Sequence, residues 1–388
     1  MKRFRFLTSG ESHGKCLTAI IEGVPAGIRI KADVINADLA RRQGGYGRGD
    51  RMKIENDKVE IKSGVRLGKS TGAPICLEIR NNDYANWEDV MAVQDYDYPT
   101  EDALKKIDER SFTRVRPGHA DYAGSVKYNL KDLRDVLERS SARKTAIEVA
   151  VGSVAKQILK EFNIVGFSHV VQIGNVKLDF YPKTYTLIKQ KAEASDVYCA
   201  DEMTSDRMRN AIDKAAEDGD TLGGKFEVVF GNLPVGLGSY VHWDEALDGR
   251  IAQAIMSIPA VKAVEVGAGV EAANLFGSQM HDEIFVAKDK SIYRQTNNAG
   301  GIEGGITNGE SLVVRGTMKP IPTMRKSLAT VDLKNMSPSN AHFERSDTCA
   351  VPACSVVAEA RVAIILVDEF LAKIGGDNFV EMKAHYGV

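Results

Sequence analysis

The chain has 388 residues, 43% hydrophobic and 27% charged, the balance of an ordinary globular protein long enough to bury a sizeable core. With 51 basic against 53 acidic residues the formal net charge is −2, so no global field draws it to nucleic acid or to an anionic membrane. Five scattered cysteines without a C-x-x-C pair predict free thiols in a reducing compartment, not a disulfide framework or a zinc site.

In chain order, the opening MKRFRFLTSGESHG has basic residues but no apolar stretch behind them, so no secretory signal is expected. The segments 58–65 and 73–80 read as strands from their alternating, β-branched character. From 130 to 162, Leu133, Val136, Leu137, Ile147, Val151, Val154, Ile158 and Leu159 recur at helical spacing, interrupted by small residues at 140–142. The segment 204–220 reads as a polar surface helix stopped by Gly219. Strands follow at 225–232, 260–267 and 311–318, and 355–371 reads as a buried helix. The best apolar run, 362–367, is far too short to span a bilayer, and a cytoplasmic location is the expectation. No repeat or Pro/Ser-rich linker divides the chain, which predicts one α/β domain over 1–388.

Three motifs resemble known functional signatures and fail on spacing or context. GVRLGKS (64–70) has three residues between its glycines where a phosphate-binding loop needs four, and a strand pattern follows instead of a helix. GAGVEA (267–272) fits a dinucleotide fingerprint but lacks a long helix behind it. The neighbouring Ser12 and His13 have no G-x-S-x-G context, so a hydrolase dyad is not expected.

What remains is a set of glycine- or proline-bearing loops rich in cations. RRQGGYGRGDRMK (41–53) sets Arg41, Arg42, Arg48, Arg51 and Lys53 among four glycines. Arginines so placed can fork onto carboxylate or phosphate, or simply form a solvated loop. RVRPGHADYAG (114–124) holds His119 beside Pro117, Asp121, Arg114 and Arg116, whose charges would attract an anion. LERSSARKTA (137–146) admits a bulky partner or a close helix crossing. NNAGGIEGGITNGE (297–310) could be a ligand loop, a lid or a plain hairpin, and MKPIPTMRK (318–326) presents Lys319 after a strand. In FERSDTCAVPA (343–353), Asp347 could cap a helix, pair with Arg345 or act as a general base. Together the loops point to a small polyanionic substrate, with two histidines and one carboxylate for proton traffic. The seven histidines lack metal-ligand spacing, so no metal is expected.

With these motifs assembled, the chain resembles the chorismate synthase family. The resemblance runs in order through GESHG, RQGGYGRG, GVRLGKSTGAPI, RPGHAD, LERSSAR, GDTLGG, VGLGSYVHWD, NNAGGIEGGITNG, MKPIPT and ERSD, over nearly the whole chain. It implies a β-α-β sandwich of antiparallel sheets and long helices, a homotetramer, and a phosphate-eliminating lyase. The implied reaction takes 5-enolpyruvylshikimate-3-phosphate to chorismate by anti 1,4-elimination with reduced FMN, and with NADPH where a member reduces its own flavin. By matching motif, His13 would protonate or steady the departing phosphate and His119 would sit near the flavin. Asp347 would help remove the ring proton through the flavin N5. Arg42 and Arg48 would meet substrate anions or a nicotinamide phosphate. Arg139, Ser140, Ser141, Pro259, Ala260, Gly304, Lys319, Pro320, Ile321, Pro322, Thr323 and Arg345 match the flavin positions. SIPA stands here where many relatives carry SINA, so Pro259 lacks a side-chain amide for that contact. Two other classes fit less of the chain. A nucleotide-dependent kinase or NAD-linked enzyme would rest on the two failed glycine motifs, and a nucleic-acid-binding module is opposed by the charge balance.

Overall fold

The alternating strands are one-sided, and each sheet needs a partner for its apolar face. In Cys16–Glu22 the inward residues Leu17, Ala19 and Ile21 are buried, facing the same way as Ile75, Leu77 and Ile79 of Ile75–Arg80. A computed structural model, which describes residues 3–49, 56–95, 99–344 and 346–387, shows how this need is met. One antiparallel sheet runs in the order Arg5–Ser9, Cys16–Glu22, Ile75–Arg80, Val59–Ile61. A second runs Val261–Val266, Leu312–Met318, Gly224–Gly231, Val165–Ile173, Val176–Lys177, also antiparallel throughout.

Between them lies a helical layer. Helix Thr145–Lys160 packs on the first sheet, helix Val351–Ile374 packs on the second, and helix Ala32–Gln43 lies against both helices. The two long helices are apolar on nearly every face, as burial on both sides requires. They cross so closely that a Cβ on Gly152 would stand 2.4 Å from the Ala360 Cβ. The result is the β-α-β sandwich that the motif resemblance implies. Among the described residues no helix is long and apolar enough to cross a membrane.

Several expected elements change in detail. The long helical pattern is two helices, Leu133–Ser140 and Thr145–Lys160, separated by an extended Ser141 and a 3₁₀ turn at Ala142–Lys144. The break is stabilised from outside, since Arg42 donates to the Ala142 carbonyl at 3.0 Å and to the Thr145 hydroxyl at 3.0 Å. The 58–65 strand shortens to Val59–Ile61, because Gly64 takes a left-handed φ of 80° before the chain turns. GVRLGKS is a tight hairpin, Val65–Arg66 against Lys69–Ser70, with positive φ at Leu67 and Gly68. GAGVEA leads into a 3₁₀ segment, Gly269–Asn274, and not into a dinucleotide-binding helix. The glycine-rich 297–310 stretch forms a short hairpin, Ile302–Glu303 with Ile306–Thr307.

Replacing Gly152 by valine should force the two central helices apart and cost about 1–3 kcal/mol or more. Urea unfolding would show this as a lower midpoint at unchanged slope. An unchanged midpoint would mean that the crossing is not as tight as drawn.

Candidate active site

The helical layer ends in a cleft. Helix Ala32–Gln43 delivers its C-terminal Arg42 there, while helices Thr145–Lys160 and Val351–Ile374 both begin there. Two helix N-termini therefore face one cavity of about 1570 Å³, a field that favours anions. His13, Arg42, Arg48, His119, Ser140, Ser141, Pro259, Ala260, Lys319, Ile321, Pro322, Thr323 and Asp347 all line it.

His13 sits on the turn between the first two strands. Gly10 opens that turn at φ 102°, where a Cβ would fall 2.3 Å from the Cys16 carbonyl oxygen. Arg139 holds the turn by donating to the Thr8 and Gly10 carbonyls at 3.0 and 2.8 Å. The His13 amide donates to Glu138 Oε2, and Nδ1 meets Glu138 Oε1, both at 2.8 Å. Trp87 stacks on the ring with centroids 3.8 Å apart. Burial alone would raise the Glu138 pKa, but the His13 contacts and Arg134 outweigh it and hold the pKa below the ordinary value. Ser12 is positioned beside His13 by an approach of the Ser141 hydroxyl at 3.2 Å.

His119 repeats the construction. Its Nδ1 lies 2.6 Å from Oδ1 of the fully buried Asp121, which also takes a forked pair of bonds from Arg116, each 2.8 Å. Burial pushes the Asp121 pKa up, yet Arg116 and His119 more than offset it and keep the carboxyl well below its usual range. Asp347 is held at 2.8 Å by Arg48 and at 2.7 Å by the Gly49 amide.

These contacts revise the expected work of the arginines. Arg116 forks onto Asp121 with Nη2 also 3.0 Å from His119 Nδ1, and Arg41 forks onto Glu359 at 3.1 and 2.9 Å. Arg143 pairs with the buried Asp57 at 2.6 Å, and Arg42 approaches the same carboxylate at 3.8 Å. Among the described residues, the cleft-lining Lys144, Lys319 and Arg325 have no carboxylate within ion-pair distance. Lys319 Nζ instead donates to the Gly118 carbonyl at 2.5 Å, and burial together with Lys262 lowers its pKa. Ala260 takes a left-handed φ of 70° and accepts the Lys319 amide, which ties the 258–260 turn to the 318–323 strand end.

Not every expected residue converges. Arg139 is engaged behind the His13 turn, Pro320 is outside the lining, and Gly304 is at the tip of its hairpin with open space around it. Arg345, Arg51 and Lys53 lie outside the described residues. Trp87, Glu138, Arg134 and Glu344 were missed by sequence reasoning. Trp87, one of two tryptophans, and a glutamate inside LERSSAR were the available signals.

The chorismate synthase family model covers residues 4–371. The chain belongs to the chorismate synthase family. It is 51% identical to chorismate synthase of Geotalea daltonii over 99% of this chain and 97% of the relative. Chorismate synthase of Streptococcus pneumoniae (strain Taiwan19F-14) is 52% identical over 98% of this chain and 96% of its own length. A crystal structure of a chorismate synthase superposes with a TM-score of 0.79 at 42% identity, covering 100% of this chain and 97% of that one. The chain is thus an enzyme, a lyase of aromatic amino acid biosynthesis at the final step of the shikimate pathway.

Buried and half-buried carboxylates also set the acid limit of the fold. Glu344 falls from an ordinary 4.5 to about 2: burial raises it, but His342 and Arg134 prevail. Glu138, Asp121 and Glu359 shift the same way. Because these pKa values are depressed on folding, the unfolded chain binds more protons in acid. Their stabilisation is complete above the ordinary carboxylate range and is lost as pH falls through it towards 2. Urea midpoints should stay nearly level from about pH 7 to 5 and drop by about pH 3; a rise on acidification would contradict the pairing.

Proposed function

We propose that the cleft binds 5-enolpyruvylshikimate-3-phosphate with reduced FMN and carries out the anti 1,4-elimination that yields chorismate and phosphate. The observation that carries this reading is the convergence in one cavity of His13, His119 and Asp347 with Lys144, Lys319 and Arg325, cations with no carboxylate partner among the described residues. Substrate carboxylates and phosphate, and the FMN phosphate, find counter-charges there. Ile258, Pro259, Ile321 and Pro322 offer an apolar wall for a flat ring, and the volume admits two ligands. Ser140, Ser141, Ala260, Lys319 and Thr323, the expected flavin positions, line the same cavity, so the residues present fit the cofactor.

Reduced FMN, held by the residues above, would supply electron density to the substrate for the elimination. The ring C–O bond breaks with its electron pair going to phosphate, and a ring proton is lost as the second ring double bond forms. His13 presents Nε2 to the departing phosphate and gives or shares a proton there. His119, fixed through Nδ1, presents Nε2 towards the cofactor side. Asp347, steadied by Arg48 and the Gly49 amide, assists loss of the ring proton. Arg42 and Arg48 line the wall where substrate anions, or a nicotinamide phosphate, would lie.

The protein acts as a homotetramer in this reading. Leu7 and Ile20, directly paired across neighbouring strands, are 80% and 51% exposed on the outer face of the first sheet, and Trp243 is 88% exposed elsewhere. Such patches are hidden when copies associate. Sedimentation should give four chains per particle, and Leu7→Glu should lower that number; a wild-type monomer would remove this part of the reading.

Anaerobic assays with substrate and pre-reduced FMN should release phosphate and chorismate in equal amounts. His13→Ala and His119→Ala should each cut turnover on the order of 100-fold or more with the fold intact. Asp347→Asn should slow proton loss and spare flavin binding. Near-normal turnover in any of these variants would remove that residue from the mechanism. Repeating the assay with oxidised FMN and NADPH separates intrinsic flavin reduction from dependence on an external reductase.

A further inference from the structure

His13 has only one ring nitrogen available to a ligand. Nδ1 is directed at Glu138 Oε1, and the ring cannot turn freely because Trp87 stacks on one face and the His13 amide is bound to Glu138 Oε2. Glu138 is itself sealed from water at 3% exposure, with Arg134 Nη1 3.5 Å from Oε1. Arg134 in turn donates to Glu344 at 2.7 Å, on the loop that carries Asp347. A buried carboxylate with a cation behind it remains ionised and accepts a proton-bearing nitrogen. Glu138 therefore acts on the imidazole and does not touch the ligand space that Nε2 faces.

We propose that Glu138 is the positioning residue for proton transfer at His13. It holds the proton on Nδ1, so the neutral ring offers Nε2 as the acceptor, and it stabilises the imidazolium when Nε2 is also protonated. This rests on the elimination proposed above. In that step Nε2–H passes its proton to a phosphate oxygen as the ring C–O bond breaks and the electron pair leaves with phosphate. The ring returns to neutral with Nδ1–H still on Glu138, which takes up no proton. The arrangement follows the logic by which a buried carboxylate orients a catalytic histidine in hydrolases.

The discriminating variant is Glu138→Gln in the full-length protein, selectively labelled with ¹⁵N-histidine. A glutamine keeps the shape and can still accept the His13 amide, but its NH₂ group faces Nδ1 and favours the proton on Nε2. The ¹⁵N shifts of His13 should move from the Nδ1–H to the Nε2–H pattern. With saturating reduced FMN, kcat should fall on the order of 100-fold while KM and flavin affinity stay within about twofold. The Glu138→Gln/His13→Ala double variant should be no slower than His13→Ala alone, since both changes remove the same function. An unchanged tautomer with unchanged kcat would overturn the proposal. A fall in flavin affinity and melting temperature at unchanged tautomer would also overturn it, because it would mark a role confined to holding the turn. If the glutamine variant does not fold, Glu138→Asp keeps the charge one methylene further back. It should retain the Nδ1–H pattern with an intermediate kcat, and a wild-type kcat there would count against the proposal. Failure of the wild-type protein to make chorismate, with His13 still in the Nδ1–H form, would defeat the elimination reading and its proton transfer, while leaving the Glu138 pairing established.

Discussion

Glu359 lies in the middle of the longest helix, sealed from water, and the arrangement of the helical layer depends on how its charge is met. Arg41 forks onto it from one helix, Lys156 reaches it at 2.7 Å from another, and the Ser168 hydroxyl donates at 2.9 Å from the second sheet. Asp38 shares Lys156 at 2.6 Å and balances the remaining cation. The Glu359 carboxyl is held far below its ordinary pKa, and Lys156 is held above its own despite burial. Removing one member of such a set leaves an uncompensated buried charge, a loss of about 3–5 kcal/mol. The network also requires one register between three helices and a sheet, which apolar contacts alone would specify less sharply.

That register puts the cleft where it is. Once Arg41 is locked to Glu359, the next residue, Arg42, reaches across to stabilise the Ser141–Thr145 break, and the chain beyond Gly44 carries Arg48 to Asp347. Two helix starts, one helix end and the His13 turn are thereby fixed against one another. His13, His119 and Asp347 sit on loops; the first two are tied to helices through Glu138 and Asp121, and the third is held by Arg48 and the Gly49 amide.

Within the cleft the same device appears twice: an imidazole, a buried acid on its Nδ1, and an arginine behind the acid. His13–Glu138–Arg134 and His119–Asp121–Arg116 differ in the arginine, which stands 3.5 Å from the acid in one and 2.8 Å in the other, where its Nη2 also lies 3.0 Å from the His119 Nδ1. Phe112 lies under both guanidinium groups, 5.2 Å from Arg134 and 5.4 Å from Arg116. The two arms are thus built around one aromatic side chain. Arg48, Arg116, Arg134 and Arg143 meet protein carboxylates, whereas Lys144, Lys319 and Arg325 line the cleft with no carboxylate within ion-pair distance among the described residues.

The sequence by itself determined five sheet strands and the helices flanking 140–144, at 204–217 and at 355–371, because their apolar residues recur with period two or near 3.6, whereas strands Arg5–Ser9, Cys16–Glu22 and Val165–Ile173 and helix Ala32–Gln43 were not read from it. It also excluded the two glycine-motif decoys by spacing and context, and its ordered motifs identified the family. Tertiary structure alone decided the partners. Glu138 meets His13 across 125 positions and Gly49 meets Asp347 across 298, distances over which charge patterning carries no address. A guanidinium in a glycine loop looks the same whether it holds a substrate phosphate or a buried aspartate. Only the folded chain, by removing water from one of those acids and not from another, settles which charges are paired and which remain for the ligand.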